Sequence, residues 1–221
     1  MSEKSALIAG ATGLTGNELV KILLDHHAYT KIRIFVRRPL DIEHPKLEQV
    51  KVDFNRLDDY KEYFEVDDVF CCLGTTIKKA GSKNAFRKVD YEFSTMLAGL
   101  AKSAGVKKFL VISAMGADSR SNIFYNRVKG QTEDHLKKLD LPALHIFRPS
   151  LLLGDRKEFR LGEKAASLIA PAFSPLLRGD MKKYKPIQAK QVAQAMCAAA
   201  QTDSDGVQVY TSDQIAEMAG Q

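Results

Sequence analysis

The sequence predicts an α/β protein built on one doubly wound parallel sheet, and three observations support that fold class. An apolar strand at residues 6–9 runs directly into glycines that recur at every third position. Short apolar strands then alternate with helical segments, which is typical of right-handed β–α–β units with helices on both faces of the sheet. Finally, a chain of 221 residues that is 45% hydrophobic suffices to bury a single core.

The spacing of apolar residues predicts each strand and helix in turn. Apolar runs bounded by charges or glycine are typical of strands buried in a parallel sheet, whereas a three-and-four spacing is typical of helices. The predicted strands are residues 6–9, 31–36, 49–52, 67–73, 107–113, 143–147 and 206–210, and the predicted helices are residues 17–24, 57–64, 84–104, 123–139 and 189–201. Together they predict a Rossmann sheet in a single domain of residues 1–221. Ligands of such sheets bind beyond the carboxyl ends of the strands, so we expect residues 160–221 to supply a small substrate-side cap and closing elements.

The glycine-spaced turn after the first strand predicts a dinucleotide site. Gly10, Gly13 and Gly16 form G-x-x-G-x-x-G immediately before a helix. Gly10 would allow the sharp exit from the strand, Gly13 would leave room for phosphates, and Gly16 would let the helix pack against the sheet. Free N–H groups at the helix start would then face the anion, whereas a chance glycine-rich turn is the alternative. The predicted contacts are Gly10, Thr12, Gly13, Leu14, Thr15 and Gly16.

Arg37 and Arg38 follow the second predicted strand and favour NADP over NAD. An acidic residue there would bind the ribose 2′-hydroxyl of NAD, but the first acidic residue after the strand is Asp41. Two guanidinium groups suit a 2′-phosphate, which they can bind in bidentate fashion. A pair of exposed loop arginines without a ligand is the alternative. The predicted cofactor is therefore NADP(H).

Tyr125 and Lys129 form a Y-x-x-x-K pattern and are the candidate catalytic residues, together with Ser113. The first two lie one helical turn apart on one face, and Ser113 ends the fifth predicted strand, where a nicotinamide would lie. A tyrosine ordinarily has a pKa of about 10, which a nearby ammonium group lowers. Tyr125 could then protonate a carbonyl oxygen while Ser113 donates a hydrogen bond to that oxygen. A tyrosine and a lysine on an ordinary helix are the alternative.

Several blocks spread over nearly the whole chain carry a family resemblance. They are residues 10–16, 57–60, 71–76, 79–81, 86–90, 116–118, 125–130 and 148–156. These blocks resemble the atypical group of short-chain dehydrogenases/reductases, most closely the Tat-interactive-protein-type oxidoreductases. One departure is Asp90, because many members of the wider family place an asparagine in the long central helix.

The resemblance implies a role for each remaining candidate residue. It implies NADPH binding, with Asp53 near the adenine and Lys129 at the nicotinamide ribose. Catalytic roles would fall to Ser113, Tyr125 and Lys129. The other implied cofactor contacts are Leu73, Gly74, Thr75, Pro149 and Ser150.

These features predict an NADP(H)-dependent oxidoreductase that transfers hydride between the nicotinamide and a small carbonyl or alcohol substrate. The alternative is an NADPH-sensing regulatory protein with little or no turnover. The complete set of Ser113, Tyr125 and Lys129 favours the enzyme, because a sensor need not keep all three. A homodimer or a protein partner is compatible with either function.

The basic stretch at residues 77–83 has two interpretations. It could be a flap that grips a phosphate or an acidic substrate. More often, such a stretch is only a solvated loop.

Composition argues against three other classes of function. The net charge of +6 comes from scattered basic pairs without interleaved aromatic residues, which is unlike a nucleic-acid site. No apolar run approaches the roughly 18 residues of a membrane span. The three cysteines and five histidines lack the spacing of a disulfide framework or a metal site. Together these observations predict a cytoplasmic protein that binds no metal, nucleic acid or membrane.

Overall fold

Seven parallel strands form the central sheet of the computed structural model, which describes residues 3–154 and 184–220. The strands are β1 (Lys4–Ala9), β2 (Tyr29–Val36), β3 (Leu47–Lys51), β4 (Asp68–Cys71), β5 (Lys108–Ile112), β6 (Ala143–Arg148) and β9 (Gly206–Thr211), while β7 (Leu152–Leu153) and β8 (Ile187–Gln188) form a separate parallel pair. Their order across the sheet is β3-β2-β1-β4-β5-β6-β9, so the chain winds outward from β1 in both directions. This order confirms the predicted doubly wound Rossmann sheet.

Helices cover both faces of this sheet. They are α1 (Leu14–Asp25), a 3₁₀ helix (Phe54–Phe64), α2 (Ile77–Ala80), α3 (Lys83–Arg87), a π-helical turn (Lys88–Phe93), α4 (Ser94–Ser103), α5 (Phe124–Lys138), α6 (Ala189–Gln201) and α7 (Ser212–Ala219). Helix α6 has the same bounds that the sequence predicts. Within the described ranges, no helix is both long enough and apolar enough to cross a membrane.

Strand β1 illustrates how the two layers of helices are held to the sheet. Its side chains alternate between the faces. Ala6 and Ile8 join a cluster with α1 and α6, whereas Leu7 and Ala9 join a cluster with α4 and α5. All four are fully buried, and burial of each leucine or isoleucine side chain contributes about 1.5–3 kcal/mol. Burial on both faces explains why the strand is an uninterrupted apolar run.

Four helical segments differ from those that the sequence predicts. One is α2, which forms in a stretch that was interpreted as a flap or a solvated loop. The segment before β4 is a 3₁₀ helix with non-helical backbone angles at Arg56 and Tyr60, so it consists of short turns. The predicted long helix is interrupted by the π-helical turn. Helix α7 is not predicted at all, although the backbone N–H of Thr211 donates to the side chain of Gln214 at 2.9 Å, which is typical of a helix N-terminus.

The predicted cap falls partly outside the described residues, because residues 160–183 are not among them. The described remainder contributes to the sheet and its flank. Strand β9 pairs in parallel with β6, and α6 packs against α1. Residues 184–220 therefore extend one edge of the sheet and cover one face.

Candidate dinucleotide and catalytic site

The carboxyl ends of β1 and β4 lie side by side at the point where the strand order reverses. Strand β1 pairs with β2 on one side and with β4 on the other. In open α/β sheets, ligands bind in the crevice at such a point. The glycine turn after β1 and residues 73–75 after β4 meet at this edge.

Gly10 and Gly16 are glycines because backbone atoms occupy the space that a side chain would need. Gly10 has a φ of +91°, and a Cβ on it would lie 2.5 Å from the carbonyl oxygen of Cys72. A Cβ on Gly16 would lie 2.1 Å from the carbonyl oxygen of Gly10. The fold itself therefore requires both glycines.

Gly13 differs, because a side chain there would be tight against one backbone oxygen rather than excluded by the fold. The residue is exposed, its φ is −79°, and a Cβ would come no closer to its nearest protein neighbours than 3.3 Å. Thr12 beside it is also exposed. A missing side chain at an exposed, unstrained position fits a ligand that approaches the backbone, as a pyrophosphate does.

The first turn of α1 also has unsatisfied polar groups. No side chain caps this turn, so the N–H groups around Leu14 and Thr15 remain available at the positive end of the helix dipole. Thr15 is 4% exposed, yet its hydroxyl oxygen has no hydrogen-bond partner among the described residues. Buried polar groups normally have partners, so these groups fit the phosphates of a dinucleotide.

Arg37, Arg38 and Asp53 lie at the adjoining corner of the sheet, beyond the carboxyl ends of β2 and β3. Both arginines are exposed, and neither makes a hydrogen bond or an ion pair within the part of the chain that the structure describes. One carboxylate oxygen of Asp53 accepts hydrogen bonds from the backbone N–H of Asn55 at 2.9 Å and from its side chain at 2.8 Å. These hydrogen bonds lower the pKa of Asp53. Its second carboxylate oxygen accepts neither of these two bonds.

Asp90 connects the loop after β4 to the candidate catalytic helix. It lies on the π-helical turn and is 1% exposed. Its Oδ2 accepts a hydrogen bond from the backbone N–H of Thr75 at 2.9 Å, and its Oδ1 lies 2.8 Å from the Nζ of Lys129. A Cβ on Gly74 would also approach this carboxylate, to 3.7 Å. The aspartate therefore holds the implied cofactor loop and Lys129 together, and π-turns are frequent at such functional positions.

Lys129 is held as a buried cation next to Tyr125. Burial acts to lower the pKa of Lys129, but the attraction of Asp90 and of Tyr125 outweighs it and raises that pKa overall. Tyr125 is half-buried, and its ring centroid lies 5.5 Å from that of Phe86. The structure thus links Lys129 to residues 73–75 through Asp90, and Tyr125 lies one helical turn before this lysine.

Ser113 was predicted to donate a hydrogen bond to a substrate oxygen, but in this structure its hydroxyl is bonded to another side chain of the protein. It is 7% exposed, and its hydroxyl donates to Glu133 at 2.6 Å. Arg148 binds the same carboxylate through two nitrogens, at 2.9 and 2.5 Å. Glu133 and Arg148 were not identified from the sequence. The one available signal was that Glu133 follows Lys129 by one helical turn and so shares its inward face.

Pro149 and Ser150 follow β6 and are fixed by local hydrogen bonds. The carbonyl oxygen of Pro149 accepts from the backbone N–H of Met115 at 2.9 Å. The hydroxyl of Ser150 donates to the carbonyl oxygen of Lys185 and accepts from the hydroxyl of Ser212 at 3.0 Å. Neither residue contacts Tyr125 through these bonds. Among the described residues, no group of histidine, cysteine, aspartate or glutamate side chains is arranged to hold a metal ion.

Comparison with known proteins identifies the family. Residues 10–203 match the protein family described as NAD(P)H-binding. The chain belongs to this family. It is an atypical short-chain dehydrogenase/reductase that resembles Protein HTATIP2 of Rattus norvegicus, with 42% identity over 167 residues that span 74% of this chain and 69% of the relative. Protein FMP52, mitochondrial, of Candida albicans is 33% identical over 209 residues, or 91% of this chain and 90% of the relative.

Solved structures support the same fold. The Bordetella bronchiseptica enzyme WbmH in complex with NAD+ aligns with a TM-score of 0.73 and 16% identity, over 95% of this chain and 76% of that chain. The UDP-N-acetylglucosamine 4-epimerase from Methanobrevibacter ruminantium M1 aligns with a TM-score of 0.70 and 18% identity, over 96% of this chain and 77% of that chain. At this level of identity the alignments show a shared fold, and they support the doubly wound Rossmann sheet.

The predicted cytoplasmic location is wrong. The relatives from Scheffersomyces stipitis, Debaryomyces hansenii and Candida albicans are named as mitochondrial proteins. The prediction relied on unpaired cysteines, and these indicate only a reducing environment, which does not by itself select the cytoplasm.

Proposed function

We propose that this protein is an NADP(H)-dependent reductase that converts a small carbonyl compound to an alcohol, with Tyr125 as the proton donor. The observation that carries the proposal is the position of Tyr125. It is half-buried and lies one helical turn before the buried ammonium of Lys129, which Asp90 links to the loop of residues 73–75. A tyrosine hydroxyl close to a fixed positive charge supports proton transfer to a substrate held at the proposed dinucleotide site.

The choice of NADP(H) rests on Arg37 and Arg38. Both guanidinium groups are exposed at the end of β2 and have no partner in the described ranges. They would bind a 2′-phosphate by charge-assisted hydrogen bonds. When bound, the cofactor would supply a hydride to the carbonyl carbon, leaving NADP+, while the oxygen takes a proton to complete the alcohol.

Lys129 and Asp90 would support Tyr125 in different ways. The positive charge of Lys129 favours release of the tyrosine proton to the substrate oxygen. Asp90 keeps Lys129 protonated and fixes it in place through their 2.8 Å contact. Because Asp90 also holds the N–H of Thr75, it couples the position of the lysine to the implied cofactor loop.

A second function, NADPH sensing without turnover, is favoured by the placement of Ser113. Its hydroxyl already donates to the buried carboxylate of Glu133. The ammonium of Lys129 is likewise paired with Asp90. Both groups have protein partners, and a sensor would need them only as structural contacts.

The experiment that separates the two functions is NADPH oxidation with a panel of aldehydes and ketones. Wild-type protein should oxidise NADPH with at least one of them, and Tyr125→Phe should lower kcat by ~10²–10⁴ because only the proton donor is lost. NADPH affinity should stay unchanged in this variant. Tyr91→Phe is the matched control, since Tyr91 is a half-buried tyrosine whose hydroxyl contacts His135 instead. Tight NADPH binding without turnover of any compound would favour the sensor.

A further inference from the structure

Glu133 is a buried carboxylate that joins helix α5 to two strands of the sheet. It lies on α5, and only 2% of its side chain is exposed. One of its oxygens accepts a hydrogen bond at 2.6 Å from the hydroxyl of Ser113, which directly follows β5. Arg148, the last residue of β6, donates to both oxygens through two nitrogens. Such a bidentate pair fixes direction as well as distance, so Glu133 holds α5 in one orientation on the sheet.

The candidate catalytic side chains precede Glu133 on the same side of this helix. Tyr125, Lys129 and Glu133 follow one another at intervals of four residues, or about one helical turn. Lys129 lies 2.8 Å from Asp90 of the π-helical turn, as Glu133 is bonded to Ser113. These last four residues line one small cavity, so the two sets of contacts adjoin. Helix α5 is therefore anchored twice, to the π-helical turn through Lys129 and to the sheet through Glu133.

Tyr125 depends on α5 for the position of its hydroxyl. Its ring packs against Phe86, with 5.5 Å between the ring centroids. Within the ranges that the structure describes, its hydroxyl makes no hydrogen bond, so the helix and the ring contact place this group. A misplacement of about 1 Å can lower the rate of an enzymatic reaction about 100-fold. An anchor that sets the orientation of α5 can therefore control proton transfer from Tyr125 without touching the substrate.

We propose that Glu133, held by Arg148, is a positioning residue that sets the orientation of α5 and thereby places Tyr125 for proton transfer. The proposal rests on the proposed reductase function and adds a residue to its machinery. Ser113 belongs to this anchor, because the single proton of its hydroxyl is donated to Glu133 and is not available to a substrate carbonyl. A carboxylate suits the position because its two oxygens accept from three donors, whereas the amide of glutamine has only one acceptor oxygen.

Glu133→Gln tests the proposal in turnover at saturating NADPH, with the panel compound that the wild type reduces fastest. We expect kcat to fall by ~10- to 100-fold with KM nearly unchanged, because α5 loses its bidentate contact and Tyr125 is misplaced. In a Tyr125→Phe background the same substitution should cost less than about threefold, since Glu133 acts through the tyrosine. An unchanged kcat in Glu133→Gln, or an equal loss in both backgrounds, would overturn the proposal.

Asp68→Ala is the matched control, because Asp68 is also a buried carboxylate paired with a cation, at the start of β4. It should lower stability and leave kcat unchanged, which separates a loss of stability from a misplaced helix. A fall of kcat in this variant as large as that in Glu133→Gln would contradict the positioning role.

Two further variants probe the partners of Glu133 and keep the test open if Glu133→Gln does not fold. Arg148→Lys keeps the positive charge but offers one nitrogen, so it should lower kcat by about threefold to tenfold. Ser113→Ala leaves the bidentate contact in place and should cost only about threefold. Wild-type kcat in Arg148→Lys would overturn the proposal. A loss of ~100-fold in Ser113→Ala would do the same, because it would identify a donor to the substrate oxygen.

NADPH binding keeps this test separate from that of turnover. Asp90 links Lys129 to residues 73–75, the proposed cofactor loop, so a displaced α5 should also disturb the cofactor. If no compound is reduced, fluorescence titration should still show the NADPH dissociation constant rising about threefold or more in Glu133→Gln. In a Lys129→Met background the same substitution should add little. That result would support the anchor even though the reductase function fails. Unchanged NADPH affinity, or an equal rise in both backgrounds, would overturn it.

Discussion

The two edges of the sheet are both rich in polar side chains, but at the amino edge most of these side chains are bonded to one another, although Oδ1 of Asp68 accepts no hydrogen bond from the described residues. The hydroxyl of Tyr29 donates to Asp68 at 2.6 Å, and the ammonium of Lys4 lies 2.5 Å from the same carboxylate oxygen. Lys4 and Lys108 also donate to the carbonyl oxygen of Ala200, at 2.8 and 3.0 Å. These contacts fasten the end of α6 to the sheet, where cations also complement the helix dipole.

At the carboxyl edge, Asp90 is paired with Lys129, but several other polar groups are left without partners. The hydroxyl of Thr15, the first turn of α1, and the guanidinium groups of Arg37 and Arg38 have none within the described ranges. Polar groups that pair with one another stabilise the fold, whereas unpaired groups are those that a ligand would satisfy. Substitutions at the amino edge should therefore change stability, and those at the carboxyl edge should change binding.

The largest expected effects come from substituting two glycines of the same turn, one of which should affect folding and the other NADPH binding. Gly16→Val should prevent folding or cost more than about 4 kcal/mol, because its Cβ would meet the carbonyl oxygen of Gly10 at 2.1 Å. Gly13→Val should fold, yet weaken NADPH binding by roughly 100-fold or more, since its side chain would occupy the phosphate space. Thermal unfolding with and without NADPH measures both effects.

Gly99→Ala is the control for this pair, because it lies in α4 with no atom within 4 Å of the added Cβ. It should leave NADPH binding intact and should raise stability by roughly 0.5–1 kcal/mol, because alanine suits a helix interior better than glycine does. A Gly13→Val protein that NADPH still stabilises fully would show that the phosphates bind elsewhere.

The next largest effect is a loss of stability on replacing Asp68, which is fully buried at the amino edge. Burial raises its pKa against the opposing contacts with Lys4 and Tyr29, so desolvation offsets part of the favourable interaction. Asp68→Ala should still lower the free energy of unfolding by about 2–3 kcal/mol, because it leaves Lys4 and Tyr29 without their acceptor. NADPH affinity should not change. Urea unfolding measures the loss, and Glu18→Gln, which breaks an exposed pair with Lys21, should stay within about 0.5 kcal/mol of wild type.

The sequence predicts well those features of the two edges that depend on neighbouring residues. The glycine turn, the strand before it and helix α6 depend on neighbouring residues, so residue type and spacing were sufficient. The excess of cations at residues 77–88 is also visible directly in the chain. What the sequence conceals is which polar groups are paired.

Contacts between distant residues explain most of what was missed. The partner of Lys129 is Asp90, from a different helical segment, and the hydroxyl of Ser113 is bound by Glu133, twenty positions later. The π-helical turn has the apolar spacing of an ordinary helix, so no local pattern reveals it. The geometry of the candidate site thus depends on tertiary packing that the sequence pattern does not encode.

The free energy of unfolding should depend on pH through His145, which is fully buried in β6. Burial, and then the charge of Lys108, lower its pKa to about 4 from its ordinary value of 6.5. The unfolded chain therefore takes up a proton at higher pH than the folded protein does. The resulting stability is fully present above about pH 6.5 and is lost as the pH falls through 4, by roughly 2–2.5 kcal/mol down to pH 4.5.

Urea unfolding of wild type and His145→Gln between pH 7.5 and 4.5 isolates this contribution. The wild type should lose more stability over that range than the variant, and NADPH affinity at pH 7.5 should be equal in the two proteins. Parallel stability curves would show that His145 does not contribute to the acid sensitivity.

The smallest effect is the cofactor preference at the carboxyl edge. If Arg37 and Arg38 bind a 2′-phosphate, NADPH should bind tighter than NADH by about 1.4 kcal/mol, or tenfold. In the double variant Arg37→Ala with Arg38→Ala, the two affinities should converge through loss of NADPH affinity, with NADH binding and the unfolding midpoint unchanged. Lys31→Ala removes an exposed cation from the other end of β2, where it pairs with Glu48 at 3.0 Å, and should preserve the preference. Fluorescence titration measures these constants. Equal affinities in the wild type would show that these arginines do not bind a 2′-phosphate. A loss of stability in the double variant would show that they stabilise the fold, as the paired groups of the amino edge do.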